Sequence, residues 1–243
     1  MEHEIKVTLL NPEEAKELFK TWGQFTSICC DTQTDTPETV GKGCMYSAHW
    51  SGSRWRYIAF RVDNCPRFVI DQAVRHEQGV AKNVQSFRYV DKDNFAYAIP
   101  DEIKDDDNLM EEYWYHMRDT VKLYEKIQGY VYSKTNSHER ANEQARYILP
   151  MATEGSFCIA YTPEALIHIC NLRLCVRTED KHRKLVEAIR DAVLEVIPEL
   201  QSRLVPQCEN LLHCPEGKKG CGRYPTKSEL KQLLDQVAKE GIV

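Results

Sequence analysis

The chain has 243 residues, a formal net charge of −5 and a hydrophobic share of 42%, enough to build a substantial core in one large domain or two small ones. The negative charge argues against broad nucleic-acid binding, although a local group of arginines can still bind a nucleotide phosphate. No apolar run is long enough to cross a bilayer, and residues 1–10 lack a signal-peptide pattern, so we predict a cytoplasmic protein with no membrane partner.

In chain order, alternating polar and apolar residues predict strands over residues 4–10 and 56–62. In the second strand, Ile58, Phe60 and Val62 would face the core. Residues 12–22 are predicted to be helical, and residues 32–42, with their threonines, acids and Pro37, a loop or lid. A helix is predicted over residues 65–78, because Asn64 and Pro66 interrupt the preceding strand.

The sequence predicts mostly helices in the second half of the chain. The acidic run 101–107 is predicted to be a solvated loop rather than a metal site. Further helices are expected over residues 139–149, which Pro150 ends, and over 184–197. Three start or core signals support the remaining helices: Thr162 as N-cap before Pro163 and Glu164, a capping box from Thr226 to Glu229, and a core stripe of Trp114, Met117, Val121, Tyr124 and Ile127. Helices around alternating strands predict an α+β fold.

The tail contains an unusual group of cysteines. No repeat or Gly/Ser linker divides the chain, so we predict one domain over residues 1–205 and a cysteine-containing tail over 206–243. The ten cysteines of an intracellular chain are expected to be reduced. Cys208, Cys214 and Cys221 lie near His213, but their spacing is looser than that of a typical zinc motif. Reduced thiols that order the tail are therefore favoured over a metal, which is the alternative.

Residues 72–89 concentrate polar side chains that suit an anionic ligand. If residues 65–78 are helical, Gln72, Arg75 and His76 share one face. If residues 84–90 are extended, Ser86 and Arg88 point to the same side, and a turn at Gly79 would bring the two faces together. Arginine forks and a hydroxyl group suit phosphate. The alternative is a pair of surface arginines with solvated head groups.

The same segment carries a family resemblance. Arg75-His76-Glu77, followed by Ser86-Phe87-Arg88-Tyr89, resembles the signature of the flavin-dependent thymidylate synthases, Arg-His-Arg and then Ser-x-Arg-Tyr. Segments 49–54, 140–150 and 165–173 resemble further motifs of that family in the same order. The resemblance covers about residues 49–200. It implies the thymidylate synthase-complementing fold, an antiparallel sheet wrapped by helices, and a homotetramer whose active sites combine several subunits.

The resemblance also implies a reaction and its substrate residues. The reaction is the reductive methylation of dUMP to dTMP, with 5,10-methylenetetrahydrofolate as carbon donor, NADPH as reductant and FAD as hydride carrier. Arg173 would be catalytic, since a permanent cation can stabilise charge that develops on the uracil ring. Without the resemblance, the pattern predicts that Arg146 forms a salt bridge on a helix surface. It likewise predicts that Arg173 is a charge near a helix C-terminus that complements the helix dipole. The residues implied to bind dUMP are Gln72, Arg75, Val84, Gln85, Ser86, Phe87, Arg88, Arg146 and Arg173, with Ser86 and Arg88 nearest the phosphate.

The flavin half of the signature departs from the family pattern. Glu77 stands where the family usually has arginine, so FAD lies differently, another cation compensates, or flavin affinity is reduced. Val84 replaces a common glutamate, His168 replaces a frequent asparagine, and the loop between His76 and Ser86 is one residue longer. These departures leave two alternatives: methylation or hydroxymethylation of another pyrimidine nucleotide, and a nucleotide-binding protein without flavin or catalysis. The residues implied to bind FAD are Ser51, Arg75, His76, Glu77, Val84, Thr162, Pro163, Glu164 and His168.

Overall fold

The structure is a computed structural model that describes residues 3–239. Residues 1–2 and 240–243 lie outside the described part. The predicted domain, the predicted tail and the signal-peptide prediction for residues 1–10 each include some of them. No helix within residues 3–239 is both long and apolar enough to cross a membrane. The α-helices are α1 (Pro12–Lys16), α2 (Leu18–Cys29), α3 (Pro37–Tyr46), α4 (Arg67–Ala73), α5 (Asp107–Thr135), α6 (His138–Ala145), α7 (Pro163–Arg173), α8 (Asp180–Leu194), α9 (Gln207–Leu211) and α10 (Lys227–Lys239).

Four strands form one antiparallel sheet, and the α+β class predicted from the sequence is confirmed. Its order is β1-β2-β4-β3, so the predicted first strand lies at an edge. Along β2, Ile58, Phe60 and Val62 are fully buried, as the alternation predicts. The strands are β1 (Lys6–Leu9), β2 (Ile58–Pro66), β3 (Val80–Val84) and β4 (Glu154–Tyr161).

The chain divides into two compact units. Among the described residues, the first unit contains 3–6, Arg61–His76 and Lys82–Ile159, and the second contains Val7–Phe60, Glu77–Ala81 and 160–239. The predicted division into a domain over 1–205 and a tail stays a prediction. Buried side chains of the first unit include Val69, Ile70, Met117, Tyr124 and Phe157, and those of the second include Leu18, Trp22, Leu166, Leu185 and Ile189.

Several helix starts follow the sequence signals. The Thr162 side chain accepts a hydrogen bond from the Ala165 N–H at the start of α7. Thr226 and Glu229 form a reciprocal capping box, because the Thr226 N–H donates to Glu229 Oε2 (2.6 Å) and the Glu229 N–H donates to Thr226 Oγ1 (3.3 Å). These two predicted starts are confirmed. Leu185, Ile189 and Val193 also form the buried stripe of α8.

Other local predictions were wrong in whole or in part. The predicted loop over residues 32–42 contains the first turns of α3, in which Pro37 occupies the first helical position and Glu38 the first turn, where both residues favour a helix. In the predicted core stripe of α5, Met117 and Tyr124 are buried, but the Trp114 side chain is 47% exposed. The acidic run is only partly a loop, since a short 3-10 helix covers Asp101–Ile103 and Asp106 caps α5.

The helix predicted over residues 65–78 is shorter than expected. Strand β2 continues to Pro66, and α4 ends at Ala73. Arg75 and His76 therefore lie beyond the helix, and their predicted placement on one face with Gln72 was wrong. Beyond the helix end, Lys82 Nζ donates to the carbonyls of Val74 and His76, which no longer have helical partners.

The strand predicted over residues 84–90 is a turn instead. Strand β3 ends at Val84, and the N–H groups of Tyr89 and Val90 both donate to the Ser86 carbonyl, at 3.1 and 3.3 Å. The Arg88 N–H donates to Ser86 Oγ at 3.4 Å. A serine hydroxyl that bonds the backbone two residues on competes with sheet pairing. The strand-type alternation of Ser86 and Arg88 was therefore wrong.

Candidate active site

A cavity of about 460 Å³ lies in the first unit, between the turn after β3 and the chain that follows α6. We call it the α6 cavity. It brings together five residues that the family resemblance implies for dUMP. Its lining comprises the predicted Val84, Gln85, Ser86, Phe87 and Arg146, together with Arg67, Tyr147, Leu149, Pro150 and Met151.

The turn that lines the α6 cavity is fixed to β4 at its first residue, Gln85. The Gln85 N–H donates to the Ser156 carbonyl of β4 at 3.0 Å, and Gln85 Oε1 accepts from the Ser156 N–H at 3.4 Å. Ser86 Oγ accepts from the Arg88 N–H, which leaves its own O–H available as a donor. The Gln85 amide group and the Ser86 hydroxyl thus offer donors at a position that the backbone holds in place.

Phe87 anchors the middle of this turn. Its side chain is buried and packs against Gly155 so closely that a Cβ atom there would lie 3.1 Å from Phe87 Cε1. Lys92 Nζ lies 4.7 Å from the ring centroid, and the Arg67 guanidinium carbon lies 5.8 Å from it. Both distances suit a cation–π contact, so the ring links the turn to two cations.

The α6 cavity favours an anion. Arg146, which follows α6, is exposed and has no ion-pair partner within residues 3–239. Arg67 forms an ion pair with Asp71 of the same helix at 2.9 Å. Together with the Ser86 hydroxyl, these guanidinium groups supply donors of the kind that phosphate oxygens accept.

The other residues implied for dUMP lie outside the lining of the α6 cavity. Arg88 is neutralised by Glu139 and Glu143 of α6, at 2.6 and 3.2 Å. Gln72 lies in α4, and Arg75 follows that helix on the surface. Arg173 is the last residue of α7 and lines neither this cavity nor the one described next.

A second cavity, of about 770 Å³, lies in the second unit at the N-terminal half of α7. We call it the α7 cavity. It brings together Thr162, Glu164 and His168, three of the residues that the resemblance implies for FAD. The rest of its lining comprises Trp50, Arg54, Gln78, Gly79, Ala165, Ile167 and Asn171.

A close approach between Gly79 and Thr162 shapes the wall of the α7 cavity. The Thr162 N–H donates to the Gly79 carbonyl at 2.8 Å. Gly79 has φ of +68°, and a Cβ atom there would lie 2.4 Å from Thr162 Oγ1. Only glycine fits this position without strain, so Gly79 sets how near Gln78 lies to the start of α7.

An ion pair marks one side of the α7 cavity. Arg54, on the 3-10 helix Ser51–Trp55, donates from Nε to Glu164 Oε2 at 2.6 Å and from an Nη atom to Glu164 Oε1 at 3.2 Å. Hydrogen bonding to Glu164 raises the pKa of the Arg54 guanidinium further above its ordinary value. The two hydrogen bonds to Glu164 fix the direction of the arginine fork.

The remaining residues implied for FAD are placed as follows. Ser51 is exposed at the start of its 3-10 helix, and Pro163 is the buried first residue of α7. Arg75 and His76 follow α4 in the first unit, whereas Glu77 precedes Gln78 in the second. Val84 lines the α6 cavity.

Sequence reasoning missed several lining residues. Arg67 directly follows Pro66 and is the first residue of α4. This position between a strand and a helix is the sequence signal that could have indicated it. Arg54 belongs to a segment that already resembled the family, yet its partner Glu164 is 110 residues away in the chain. Lys92, which contacts the Phe87 ring without lining either cavity, carried no sequence signal, because this contact depends on the turn that the sequence did not predict.

The cysteines of the tail form no evident metal centre. Within residues 3–239 no group of three or more His, Cys, Asp or Glu side chains could hold a metal ion. Cys208, Cys214 and Cys221 are free thiols, and burial raises the pKa of Cys208. The Cys214 N–H donates to the Pro225 carbonyl at 2.7 Å, a contact that orders the segment before α10.

Comparison with known proteins identifies the family. The sequence model of the family described as "Thymidylate synthase complementing protein" matches residues 11–199. This chain belongs to that family. The resemblance to flavin-dependent thymidylate synthases, drawn from the sequence motifs, is therefore confirmed.

Relatives of this family cover most of the chain. A protein from Nitratidesulfovibrio vulgaris named flavin-dependent thymidylate synthase is 30% identical over 187 residues, which is 76% of each chain. One of the same name from Clostridium tetani is 31% identical over 184 residues, 72% of each chain. Another from Pyrococcus abyssi is 27% identical over 251 residues, 96% of this chain and 99% of the relative.

A solved structure supports the same fold. The UMP/dUMP methylase PolB from Streptomyces cacaoi, crystallised with 5-Br dUMP, matches with a TM-score of 0.60 over 84% of this chain and 99% of that chain. Because the sequence identity is 17%, this likeness shows the fold, and it agrees with the α+β family fold predicted from the sequence.

Proposed function

We propose that this protein is a flavin-dependent thymidylate synthase, a methyltransferase that converts dUMP to dTMP. The carbon donor would be 5,10-methylenetetrahydrofolate, and NADPH would supply the reducing equivalents through FAD. Family membership supports this reaction, and the observation that carries it is the α6 cavity, in which Ser86, Arg146 and Arg67 surround a space suited to a nucleotide phosphate.

The α6 cavity would hold dUMP by its phosphate. Arg146 has its guanidinium donors available, and the Ser86 hydroxyl can donate to a second phosphate oxygen. Arg67 would add positive charge while it keeps its ion pair with Asp71. Arg88, proposed from the sequence as a phosphate contact, would reach the ligand only by exchanging its carboxylate partners Glu139 and Glu143 for the phosphate. Val84 and Gln85 would contact the nucleotide beside this group.

The residues around the α7 cavity fit a flavin. Its volume of about 770 Å³ lies within the range of about 300–1,000 Å³ that is usual for ligand sites. Polar groups on its wall, those of Arg54, His168 and Asn171, stand beside apolar surface from Trp50 and Ile167. When bound, FAD supplies the hydride chemistry. The protein would hold it through Thr162, Glu164 and His168, as the sequence resemblance implies.

Arg173 remains the proposed catalytic residue. A guanidinium stays protonated, so it can stabilise negative charge on the uracil ring without a change in its own protonation. The alternative role is structural, since a cation at the end of α7 also complements the helix dipole. Arg173→Ala would abolish turnover and leave the fold intact if the catalytic role is right. Undiminished activity would show that this arginine is misassigned.

Assembly and location are part of the proposal. The family resemblance supports a homotetramer in which active sites combine several subunits, and light scattering of the purified protein would measure its mass in solution. We also propose a cytoplasmic location, where dUMP, NADPH and reduced folate are available.

The proposed function is tested with purified protein. We expect a yellow protein whose NADPH oxidation depends on dUMP and which forms dTMP when methylenetetrahydrofolate is present. A colourless protein that binds dUMP but never oxidises NADPH would contradict the proposal and favour a nucleotide-binding protein without catalysis.

A matched pair of variants locates the nucleotide site. Arg146→Met should raise the KM for dUMP by about ten- to a hundredfold, since a hydrogen bond to a charged group contributes about 1.5–3 kcal/mol. Arg140→Met is the control, because Arg140 lies in α6, pairs with Glu143 at 2.6 Å and is not in the cavity lining. Equal effects of the two substitutions would show that the α6 cavity is not the phosphate site.

A second candidate is a related flavin-dependent methylase or hydroxymethylase of another pyrimidine nucleotide. Glu77 and Val84, which depart from the family pattern, favour it, and the name of the structurally similar PolB includes UMP beside dUMP. Parallel reactions with UMP and dUMP, followed by mass spectrometry of the products, distinguish the candidates. Formation of dTMP selects the first, and a methylated ribonucleotide or a hydroxymethylated base selects the second.

A further inference from the structure

Glu77 leaves the proposed flavin site without the cation that its family usually has there. The diphosphate of FAD is a dianion, and a carboxylate near it raises the free energy of the complex. Glu77 directly precedes Gln78, which lines the α7 cavity. If FAD occupies this cavity, another cation has to face its diphosphate.

Arg54 is the cation that the second unit places in the wall of this cavity. Its side chain is 63% exposed, so a ligand can reach it. Within the described part of the chain, its only hydrogen-bond partner is Glu164. That contact occupies two N–H groups of a guanidinium that carries five, so three donors stay available on the other edges of the same group.

The surroundings of Arg54 prepare it for an anion. Glu164 holds the guanidinium by two hydrogen bonds, which reduces the side-chain entropy that a ligand would otherwise have to overcome. Both groups lie at the N-terminal end of α7, where the helix dipole also favours negative charge. Without Arg54, the lining would keep the carboxylate of Glu164 and lose its balancing charge, so an anionic ligand would be repelled.

We propose that Arg54 binds the diphosphate of FAD in this protein and replaces the arginine that the family usually has at position 77. Glu164 acts as a positioning residue that orients the Arg54 fork. The inference rests on the proposed function, because it requires that the α7 cavity binds FAD. It also accounts for how a member with Glu77 keeps its flavin.

The test compares the binding of FAD with that of riboflavin, which has the same ring system but no diphosphate. Binding is measured on the flavin-free protein by fluorescence titration. Arg54→Met should weaken FAD binding by about ten- to a hundredfold, the value of a charge-assisted hydrogen bond, and leave riboflavin binding unchanged. Arg61→Met is the control, because Arg61 is similarly exposed at 58% and is paired with one carboxylate, that of Asp63, outside the cavity.

Two further variants make the result specific. Arg54→Lys keeps a cation but loses the fork, so its affinity for FAD should lie between those of the wild type and Arg54→Met. Adding Glu77→Arg to Arg54→Met should restore much of the lost FAD affinity, because it returns the cation to the position usual in the family.

The outcomes separate this inference from the proposed function. Unchanged FAD affinity in Arg54→Met would overturn the inference alone, and so would an equal loss of FAD and riboflavin, which indicates a packing role. Failure of Glu77→Arg to improve FAD binding in Arg54→Met would show that position 77 does not face the diphosphate, and would overturn the claim that Arg54 replaces a cation at that position. A wild-type protein that binds neither flavin would overturn the proposed function itself.

Discussion

Gly79→Ala is expected to destabilise the protein and to weaken flavin binding together. Gly79 has φ of +68°, and an added Cβ would lie 2.4 Å from Thr162 Oγ1 and 3.1 Å from Ala165 Cβ. The left-handed backbone costs a non-glycine residue about 1–2 kcal/mol, and overpacking adds about 1–3 kcal/mol. We therefore expect the free energy of unfolding to fall by about 2–5 kcal/mol.

Two other glycines separate these contributions. Gly217 has φ of +56° but nothing within 4 Å of an added Cβ, so Gly217→Ala should show only the backbone cost of about 1–2 kcal/mol. Gly129 lies inside α5, also with open space around it. Gly129→Ala should stabilise the protein by about 0.5–1 kcal/mol, because alanine favours a helix interior.

The assay is urea unfolding of the variants, with FAD titration of each folded protein. In a Thr162→Ala background the closest clashing atom is absent, so Gly79→Ala should cost less than it does in the wild type, and the two changes should not be additive. A Gly79→Ala protein as stable as the wild type would refute the tight approach of Gly79 to α7. Additive effects of the two substitutions would refute the assignment of the clash to Thr162.

Three further predictions concern a helix cap, pH and the nucleotide site. Asp106 accepts hydrogen bonds from the N–H groups of Asn108 and Leu109 at the start of α5. Asp106→Ala should therefore lower the free energy of unfolding, measured with urea, by about 1 kcal/mol. Asp105 has no capping role, so the control Asp105→Ala should leave this free energy almost unchanged. The hydrogen bond from Arg61, followed by that from Ser156, lowers the pKa of Asp63 below its ordinary value of 3.8. The stabilisation of the folded protein by ionised Asp63 is therefore full above pH 3.8 and is lost as the pH falls through the lower pKa of the folded state. The difference in the free energy of unfolding between wild type and Asp63→Asn should therefore narrow on acidification. A difference that stays constant with pH would contradict the pairing of Asp63 with Arg61. Glu139→Gln should lower the KM for dUMP by about two- to fivefold, because it releases Arg88 from an exposed ion pair, and an unchanged KM would show that Arg88 does not reach the nucleotide.

Local signals in the sequence predicted the starts of elements well. The hydroxyl cap, proline and acid at Thr162, Pro163 and Glu164 begin α7, and the alternation around Phe60 gives β2. Such signals act within a few residues, so the sequence alone carries them. The predicted end of α4 was wrong, and the carbonyls that follow the helix bond Lys82, a residue of the next strand, a contact that no signal within residues 65–78 indicates.

For the candidate site, too, the sequence predicted residue types but not the contacts between segments that are distant in the chain. The motif resemblance selected Phe87 and Arg146, and both residue spacing and the motif indicated Ser86. The structure brings these three residues to one cavity. The resemblance did not predict that Arg88 would be neutralised by Glu139, nor that Arg54 would pair with Glu164. These ion pairs join segments far apart in the chain, and a sequence motif specifies residue types without their long-range partners.

Product analysis of the complete reaction tests the central claim most directly. Purified protein would be incubated with FAD, NADPH, dUMP and methylenetetrahydrofolate labelled at the methylene carbon, and the nucleotides analysed by mass spectrometry. We predict labelled dTMP in proportion to the NADPH oxidised and none when dUMP is omitted. NADPH oxidation without labelled dTMP, or no oxidation by a flavin-loaded protein, would contradict the assignment as a thymidylate synthase.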